Sequence, residues 1–395
     1  MSRMTRYILG ELLSVFLVSL TGMTALIVLV MLVQEAVRQG LGPEPIIRLL
    51  PYILPQAMPF AIPATILFAA CSVYGRMSSS NEVVAIKSIG VPPINILRPA
   101  FILAFLLSLG TVWLNDVAAS WGRAGVQKVV MGSLEQIIYG TLRTHRAYRA
   151  GRTSINVKDV DGKRLIRPTI VMQGEDAGKN TTITAQEAEI RSNPEKNSLS
   201  FIMTNFVVEV DGSMRVVVPN TDVYEIPLAD VGRDVGPSRS PVNIAMRTIP
   251  QECIDQQQEI QRLEESLAVE AAIQLTTGDF SALAGSEWND RQTALHNSRS
   301  RLHRLATEPW RRWASGFCCF FFVFVGAPLA IHLRTADLWT TFGLCFFPIL
   351  LVYFPLLMYG VERAKAGALP PYAVWMGNLV MLVVGLWFIR KVQRY

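Results

Sequence analysis

The stretch LLSVFLVSLTGMTALIVLVMLV, residues 12–33, carries no Asp, Glu, Lys or Arg. As a helix rising about 1.5 Å per residue it is roughly 33 Å long, which matches the ~30 Å hydrocarbon core of a bilayer. It is longer than the ~7–15-residue apolar core of a secretory signal and lacks a small-residue cleavage site, so it reads as a retained span. Five further stretches repeat the pattern, at 51–75, 99–115, 313–333, 338–361 and 372–389. The composition agrees. Of 395 residues, 51% are hydrophobic and 17% charged, against about a quarter charged in soluble chains, and mean hydropathy is +0.31. The expected fold class is an α-helical membrane protein with six transmembrane helices, three before and three after a long polar insertion.

Lys and Arg counts set the direction of the spans. Arg3, Arg6, Arg76, Lys87, Arg98, Arg334, Arg390, Lys391 and Arg394 flank one side, and the short loops opposite hold only Arg38, Arg48, Arg363 and Lys365. Nine against four places both termini in the cytoplasm and the insertion outside it. Trp113, Trp313, Trp339 and Trp375 fall near span ends, where indole favours the interface. The net charge of +6 is uneven: residues 251–308 hold ten acidic and five basic side chains, so the remainder carries +11. Basic residues beside apolar runs are a topology pattern, not a nucleic-acid footprint. Cys71, Cys318, Cys319 and Cys345 lie in apolar runs and Cys253 stands alone in the insertion. With no CxxC, neither a disulfide framework nor a zinc site is indicated, and the thiols read as small apolar side chains.

Within the insertion, residues 137–227 read as strands: TSINVKDV (153–160), RLIRPTIVMQ (164–173), NTTITAQEAEIR (180–191), SLSFIMTNFVVEVDG (198–212) and MRVVVPNTDVYEI (214–226). They are β-branched, partly alternating, and punctuated by Asp161-Gly162, Asn193-Pro194 and Asp211-Gly212. Many short strands without intervening helices imply a sandwich or open barrel. Residues 228–249, rich in Gly, Pro, Ser and Arg, read as a linker. From 250 the spacing turns helical: Ile260, Leu263 and Leu267 share one face, Leu295, Leu302 and Leu305 another, and Thr276 to Asp279 break the two. A helical hairpin follows, as a solvated spacer or a docking element. The expected organisation is 1–117 for spans one to three, 118–249 for the β domain and linker, 250–308 for the hairpin, and 309–395 for spans four to six.

Two motifs carry functional information. In LPYILPQAMPFAIP (50–63), Pro51, Pro55, Pro59 and Pro63 recur every four residues. Each proline cannot donate to the carbonyl four residues earlier, so Pro55, Pro59 and Pro63 leave carbonyls free along one side of the helix. Lipid cannot satisfy these, so that side should face protein or water. A simple bend and a flexible wall of a substrate path, with these prolines as gate residues, both remain open. The following loop reads GRMSSSNEVVAIKSIGVPP (75–93). Ser79 and Glu82 fit a capping box, Gly90 suits a left-handed helix end, and Pro92-Pro93 stop the chain. A short helix is expected at about 79–90, with Val83, Ile86 and Ile89 on one apolar face. The loop has nothing of its own to cover that face, which implies a partner groove or the membrane surface. Glu82 either reaches back to the cap or pairs with a base on the partner; the two are compatible.

Other chemistry is missing from the sequence. There is no G-x-x-x-x-G-K-[ST] loop for ATP, no HExxH, no GxSxG and no paired carboxylates within a span, so no cofactor and no enzymatic activity of this chain are expected. His145, His296, His303 and His332 are scattered and read as structural. Asn115-Asp116 ends the third span and reads as interfacial capping. Transport driven by energy supplied from elsewhere fits this inventory.

Six motifs together resemble the LptF/LptG family of lipopolysaccharide-transport permeases: RYILGELLSVF (6–16), LPYILPQAMPFAIPATILFA (50–69), GRMSSSNEVVAIKSIGV (75–91), ITAQEAEIRSNPEKNSLSF (183–201), GAPLAI (326–331) and LPPYAVWMGNLVMLVVG (369–385). They run through nearly the whole chain in the family's order. The resemblance implies a multi-pass protein of the bacterial inner membrane with a periplasmic β-jellyroll-like domain. Its implied partners are a second LptF/LptG-type permease, a cytoplasmic LptB-like ABC ATPase dimer, and a single-span LptC-like protein leading to a periplasmic bridge. Lipopolysaccharide is the implied substrate. Arg76, Ser79, Glu82, Val83, Ile86, Ile89 and Gly90 would form the segment coupled to the ATPase. Ile183 and Phe201 would line an acyl-chain groove. The sequence departs from the family at VLVMLVQEAVRQG (28–40), where several basic head-group contacts are usual and only Arg38 stands, near Glu35. The hairpin at 250–307 is also longer than usual. Another lipid or lipoprotein ABC exporter is an alternative reading, although lipoprotein-releasing permeases have four spans. A non-transport membrane scaffold with an external β binding module is the other.

Overall fold

The structure, a computed structural model, describes residues 3–39, 43–132, 134–150, 153–173, 180–193, 198–210, 214–220, 222–227, 240–278, 285–333 and 338–394. Its helices are α1 (Arg3–Gln39), α2 (Pro43–Ser79), α3 (Glu82–Ser88), α4 (Pro93–Val117), α5 (Arg123–Gly132), α6 (Leu134–His145), α7 (Ile249–Thr277), α8 (Ser286–Leu333), α9 (Leu338–Pro348), α10 (Phe354–Lys365) and α11 (Met376–Arg394). Six helical stretches among the described residues are long and apolar enough to cross a membrane, three before the strands and three after. The chain divides into two compact units. One comprises Met1–Ile27, Leu54–Ser120 and Ser240–Tyr395; the other comprises Val28–Ile53 and Trp121–Arg239.

The first unit is helical and built around α8, the most buried of the spans. Small residues let neighbours approach it: Gly316 lies so close to Val112 of α4, and Gly326 to Leu67 of α2, that neither has room for a Cβ. Association in lipid depends on such close packing, because the tails are as apolar as the side chains. Phe101 and Phe105 of α4 interleave with Phe317, Phe320 and Phe324 of α8 at centroid distances of 5.2–6.4 Å. Span five is interrupted by a π-helical turn at Ile349–Tyr353, between Pro348 and Pro355.

The hairpin expected at 250–308 forms from α7 and the N-terminal part of α8, and its second arm runs without a break into span four. At 48 residues, α8 is about 72 Å long, so more than half of it extends past the ~30 Å a bilayer core requires. Ile260 and Leu267 on the first arm and Leu305 on the second are buried. Arg291–Glu270, Arg299–Glu264 (2.8 Å) and Arg301–Glu252 (3.6 Å) cross-link them. Gly278 closes α7 at φ +76°.

The second unit holds nine strands among the described residues, all paired antiparallel in one sheet: β1 (Ala147–Ala150), β2 (Thr153–Asn156), β3 (Asp159–Asp161), β4 (Arg164–Ile166), β5 (Thr169–Gln173), β6 (Asn180–Asn193), β7 (Ser198–Val210), β8 (Met214–Val218) and β9 (Asp222–Pro227). The long β6–β7 pair is its spine. β5 pairs the first half of β6 and β4 the second, while β9 and β8 divide β7 in the same way. The halves meet at Gln186 and Asn205, which drop out of an otherwise continuous register. Asn205 sits at φ 51°, and its side-chain amide donates to the side-chain carbonyl of Gln186 at 3.0 Å. On both strands the inward parity flips there: Ile183 and Ala185 give way to Ala188 and Ile190, and Phe201 and Met203 to Phe206 and Val208. One unpaired residue on each strand shifts the parity there and keeps the same apolar face inward.

Two expectations from the sequence are corrected here. The strand reading of 137–145 fails, because this segment belongs to α6, whose Ile138, Tyr139 and Leu142 cover the sheet's inner face. Short β-branched runs do not reveal that a helix is needed as a lid. Span three does not stop at 115 or 117: a π turn at Ala118–Gly122 leads directly into α5. Pro194, Asp211-Gly212, Arg334 and linker residues 228–239 lie outside the described residues.

Candidate functional site

The loop helix α3 forms where expected, but its start is built differently. Its N-cap is Asn81, left-handed at φ 59°, and no side chain caps it. Ser79 and Ser80 instead donate back to the Arg76 carbonyl at 3.0 and 2.7 Å, and Ser80 also donates to Glu82 at 3.1 Å. The capping box is thus absent: the serines close the end of α2 rather than open α3, because i−3 and i−4 carbonyls lie within reach of their short side chains. The C-terminal reading holds. Gly90 has φ +86°, and Pro93 opens α4.

The apolar face of α3 is split. Val83 is buried and Ile86 packs against the helical core, whereas Ile89 is 80% exposed and Val84 is exposed. The chain itself covers the inner side, so only Val84 and Ile89 need an outside partner. Two ties fix α3 to the spans, and a third fixes the end of α2 beside it. The Lys87 ammonium donates to the Val392 carbonyl of α11 at 2.8 Å, Val83 is buried in the helical core, and the hydroxyl of Ser78, in the last turn of α2, donates to the Ile331 carbonyl of α8 at 2.7 Å. Arg76 forms a salt bridge with Glu11 of α1. Sequence reading missed Ser78, Lys87 and Glu11, whose partners lie 253, 305 and 65 residues away.

The prolines share one continuous helix, α2. Pro51 is exposed, Pro55 and Pro59 are half-buried, and Pro63 is buried. Arg38 lies in the last turn of α1, its side chain outside the described residues. Ile183 and Phe201 are both fully buried in the sheet core.

That core is pinned to α6 by Tyr139. Its hydroxyl donates to the Lys163 carbonyl at 2.5 Å and accepts from the Ile190 amide at 2.9 Å, and burial raises its pKa above the ordinary phenol value. Beside it Lys163 bonds Glu135 at 2.8 Å, which raises the pKa of the exposed ammonium, and Arg143 donates to the Gly162 carbonyl at 2.9 Å.

The largest feature sequence reading missed is a buried ion network at the end of α4. Arg312 is 1% exposed and donates to Asp116 at 2.7 Å and to the carbonyls of Val242 (3.2 Å) and Ile244 (2.7 Å); Glu308 stands 3.8 Å away. Arg311 grips Glu308 through both oxygens. Asp116 also accepts from the Met246 amide at 2.7 Å. The interfacial-capping reading of Asp116 is therefore corrected: it holds a distant arginine and a loop amide, not its own helix. Only Asn115, 3.4 Å from the Ser315 hydroxyl, makes a modest contact beside it. The planar guanidinium of Arg312 suits several acceptors at once. The network clamps the returning segment 240–246 onto α4 and α8. The doublet Arg311-Arg312 at a span end was the visible signal.

Six helices long and apolar enough to span a membrane, a short helix beside their ends and an antiparallel sheet fit a multi-pass membrane permease. The family model described as lipopolysaccharide export system permease LptF/LptG matches residues 6–391. The chain belongs to that family. No curated protein matches it. Membership gives it a role in lipopolysaccharide export as a transporter component in the membrane.

Proposed function

We propose that this chain is one permease half of an ABC transporter that extracts lipopolysaccharide from the inner membrane and passes it to a periplasmic bridge. The observation that carries the reading is the fastening of α3. A seven-residue helix with Val84 and its C-cap Ile89 exposed, packed inward through Val83, tied through Lys87 to α11 and following directly on the end of α2 that Ser78 ties to α8, can convert a push into movement of spans. Both termini and α3 lie in the cytoplasm in this reading, which the distribution of Lys and Arg supports. A cytoplasmic LptB-like ATPase dimer covers the exposed side of α3 and Glu82 pairs with a base on it. A second LptF/LptG-type permease completes the lipid path, and Arg38 meets the head group. The proline side of α2 supplies a flexible wall. Closure of the ATPases moves the spans as rigid bodies.

The strands of the 118–249 segment act as the periplasmic β-jellyroll-like domain, its end from Ser240 belonging instead with the helices, and an LptC-like protein adds to a sheet edge. Because Ile183 and Phe201 are fully buried, acyl chains reach them only if the sheet core opens.

Purification of the tagged chain from its native membrane tests the reading. An ATP-hydrolysing subunit and bound lipopolysaccharide should co-purify. Glu82→Lys should remove the ATPase while membrane insertion is unchanged. A normal yield of complex from that variant removes the coupling role, and a photocrosslinker at Ile183 or Phe201 that captures only proteins removes the lipid groove.

A further inference from the structure

We infer that the C-terminal end of span six is a binding site for the head group of an anionic phospholipid. Trp387, Arg390, Lys391 and Arg394 fall at i, i+3, i+4 and i+7 of α11 and so share one outward face. They line a groove of about 600 Å³. Arg390 and Arg394 are exposed and have no ion-pair partner among the described residues. The Lys391 ammonium rests 5.1 Å from the centre of the Trp387 ring, which holds it at the groove and leaves its charge uncompensated. Among the described residues, no carboxylate lines this groove. Trp387 is 56% exposed at the level where the apolar run ends, the depth of lipid head groups.

Three uncompensated cations with an aromatic anchor at that depth suit a phosphodiester on a glycerol backbone. A topological signal needs only basic residues on the correct side. It does not need them on one helical face lining a groove. The Lys87–Val392 tie lies between Lys391 and Arg394, so a lipid seated here lies beside the anchor of α3. The inference requires only that α11 spans a membrane, and its test involves neither lipopolysaccharide nor ATP.

The test uses the full-length chain in nanodiscs of phosphatidylethanolamine, with or without phosphatidylglycerol, and measures the thermal midpoint and the lipid retained in native mass spectra. Phosphatidylglycerol should raise the midpoint of the unmodified protein. The combined Arg390→Gln and Arg394→Gln variant should weaken its retention by about 25-fold, at about five-fold per basic residue near the surface. Arg390→Lys with Arg394→Lys should behave as the parent, which separates charge from folding. Equal retention by the glutamine variant overturns the inference, as does no response of the parent to phosphatidylglycerol. Equal protection by inorganic phosphate in detergent would mean a soluble-anion site. Loss of an associated protein from the glutamine variant, with lipid retention unchanged, would make the face a protein interface.

Discussion

Replacing Arg312 with methionine keeps the apolar stem and removes the guanidinium. Asp116 then loses its partner at 2.7 Å, and the carbonyls of Val242 and Ile244 lose theirs. Glu308 keeps Arg311. Breaking a buried ion pair by removing one partner costs about 3–5 kcal/mol. Asp116 is 30% exposed and regains some hydration, so the lower end, about 3 kcal/mol, applies. That loss falls on the clamped segment 240–246, whose Met246 amide bonds Asp116. Hydrogen exchange of the full-length protein reads it directly: amides of 240–247 should exchange about 150-fold faster, the equivalent of 3 kcal/mol in local opening. Arg312→Lys should fall between, since one ammonium cannot serve acceptors in so many directions. In the Asp116→Asn, Arg312→Met double variant the effects should be less than additive, because the second change removes a charge the first has stranded. Unchanged protection of 240–247 in Arg312→Met, or strict additivity in the cycle, would refute the clamp.

Other consequences are independent of that network. Val83→Ala, at a buried position of α3, should destabilise the protein by about 1–2 kcal/mol in chemical unfolding, whereas Ile89→Ala should leave stability unchanged and weaken ATPase co-purification. Asn205→Ala should destabilise the sheet by about 1–2 kcal/mol because alanine resists φ near +51°, and Asn205→Gly should be tolerated; equal thermal shifts would argue against that backbone conformation. Gly316→Val should sharply reduce folded yield, since a side chain there meets Val112, while the same change at Gly110, which has open space, should not. Tyr139→Phe should cost about 1–2 kcal/mol and deprotect the Ile190 amide. Because the folded-state pKa of Tyr139 is raised, its contribution is complete below the unfolded phenol value of about 10 and declines as pH rises from there through the folded value. Protection of strand 180–193 should therefore fall above pH ~10 in the parent and less so in Tyr139→Phe.

The parity shift at Gln186 and Asn205 was legible in principle. Its signature is the spacing of inward residues, two, three, two, along both ITAQEAEI and FIMTNFVV, and a strict-alternation reading passes over it. The loop helix α3 was legible from its glycine stop, whereas its start was not. Several serines near a helix end satisfy an S-x-x-E pattern equally well, and only the backbone conformation at Asn81 decides which carbonyl they serve. The apolar face of α3 was legible as a face, but its division into a covered and an open side was not, since Val83 and Ile89 are alike in sequence.

The chain's composition and the length of its uncharged runs determined that it occupies a membrane, because desolvating charge in hydrocarbon is prohibitive and twenty-odd apolar residues are what a bilayer core admits. Turn residues and β-branching likewise announced the strands. Which distant groups meet was decided only by the tertiary structure: Arg312 on Asp116, Lys87 on Val392, Ser78 on Ile331, and Tyr139 between Lys163 and Ile190. The pattern along a chain records how each segment divides between apolar and polar surroundings. The partner of a buried polar group depends on which segments pack against it, and that information resides in the packing.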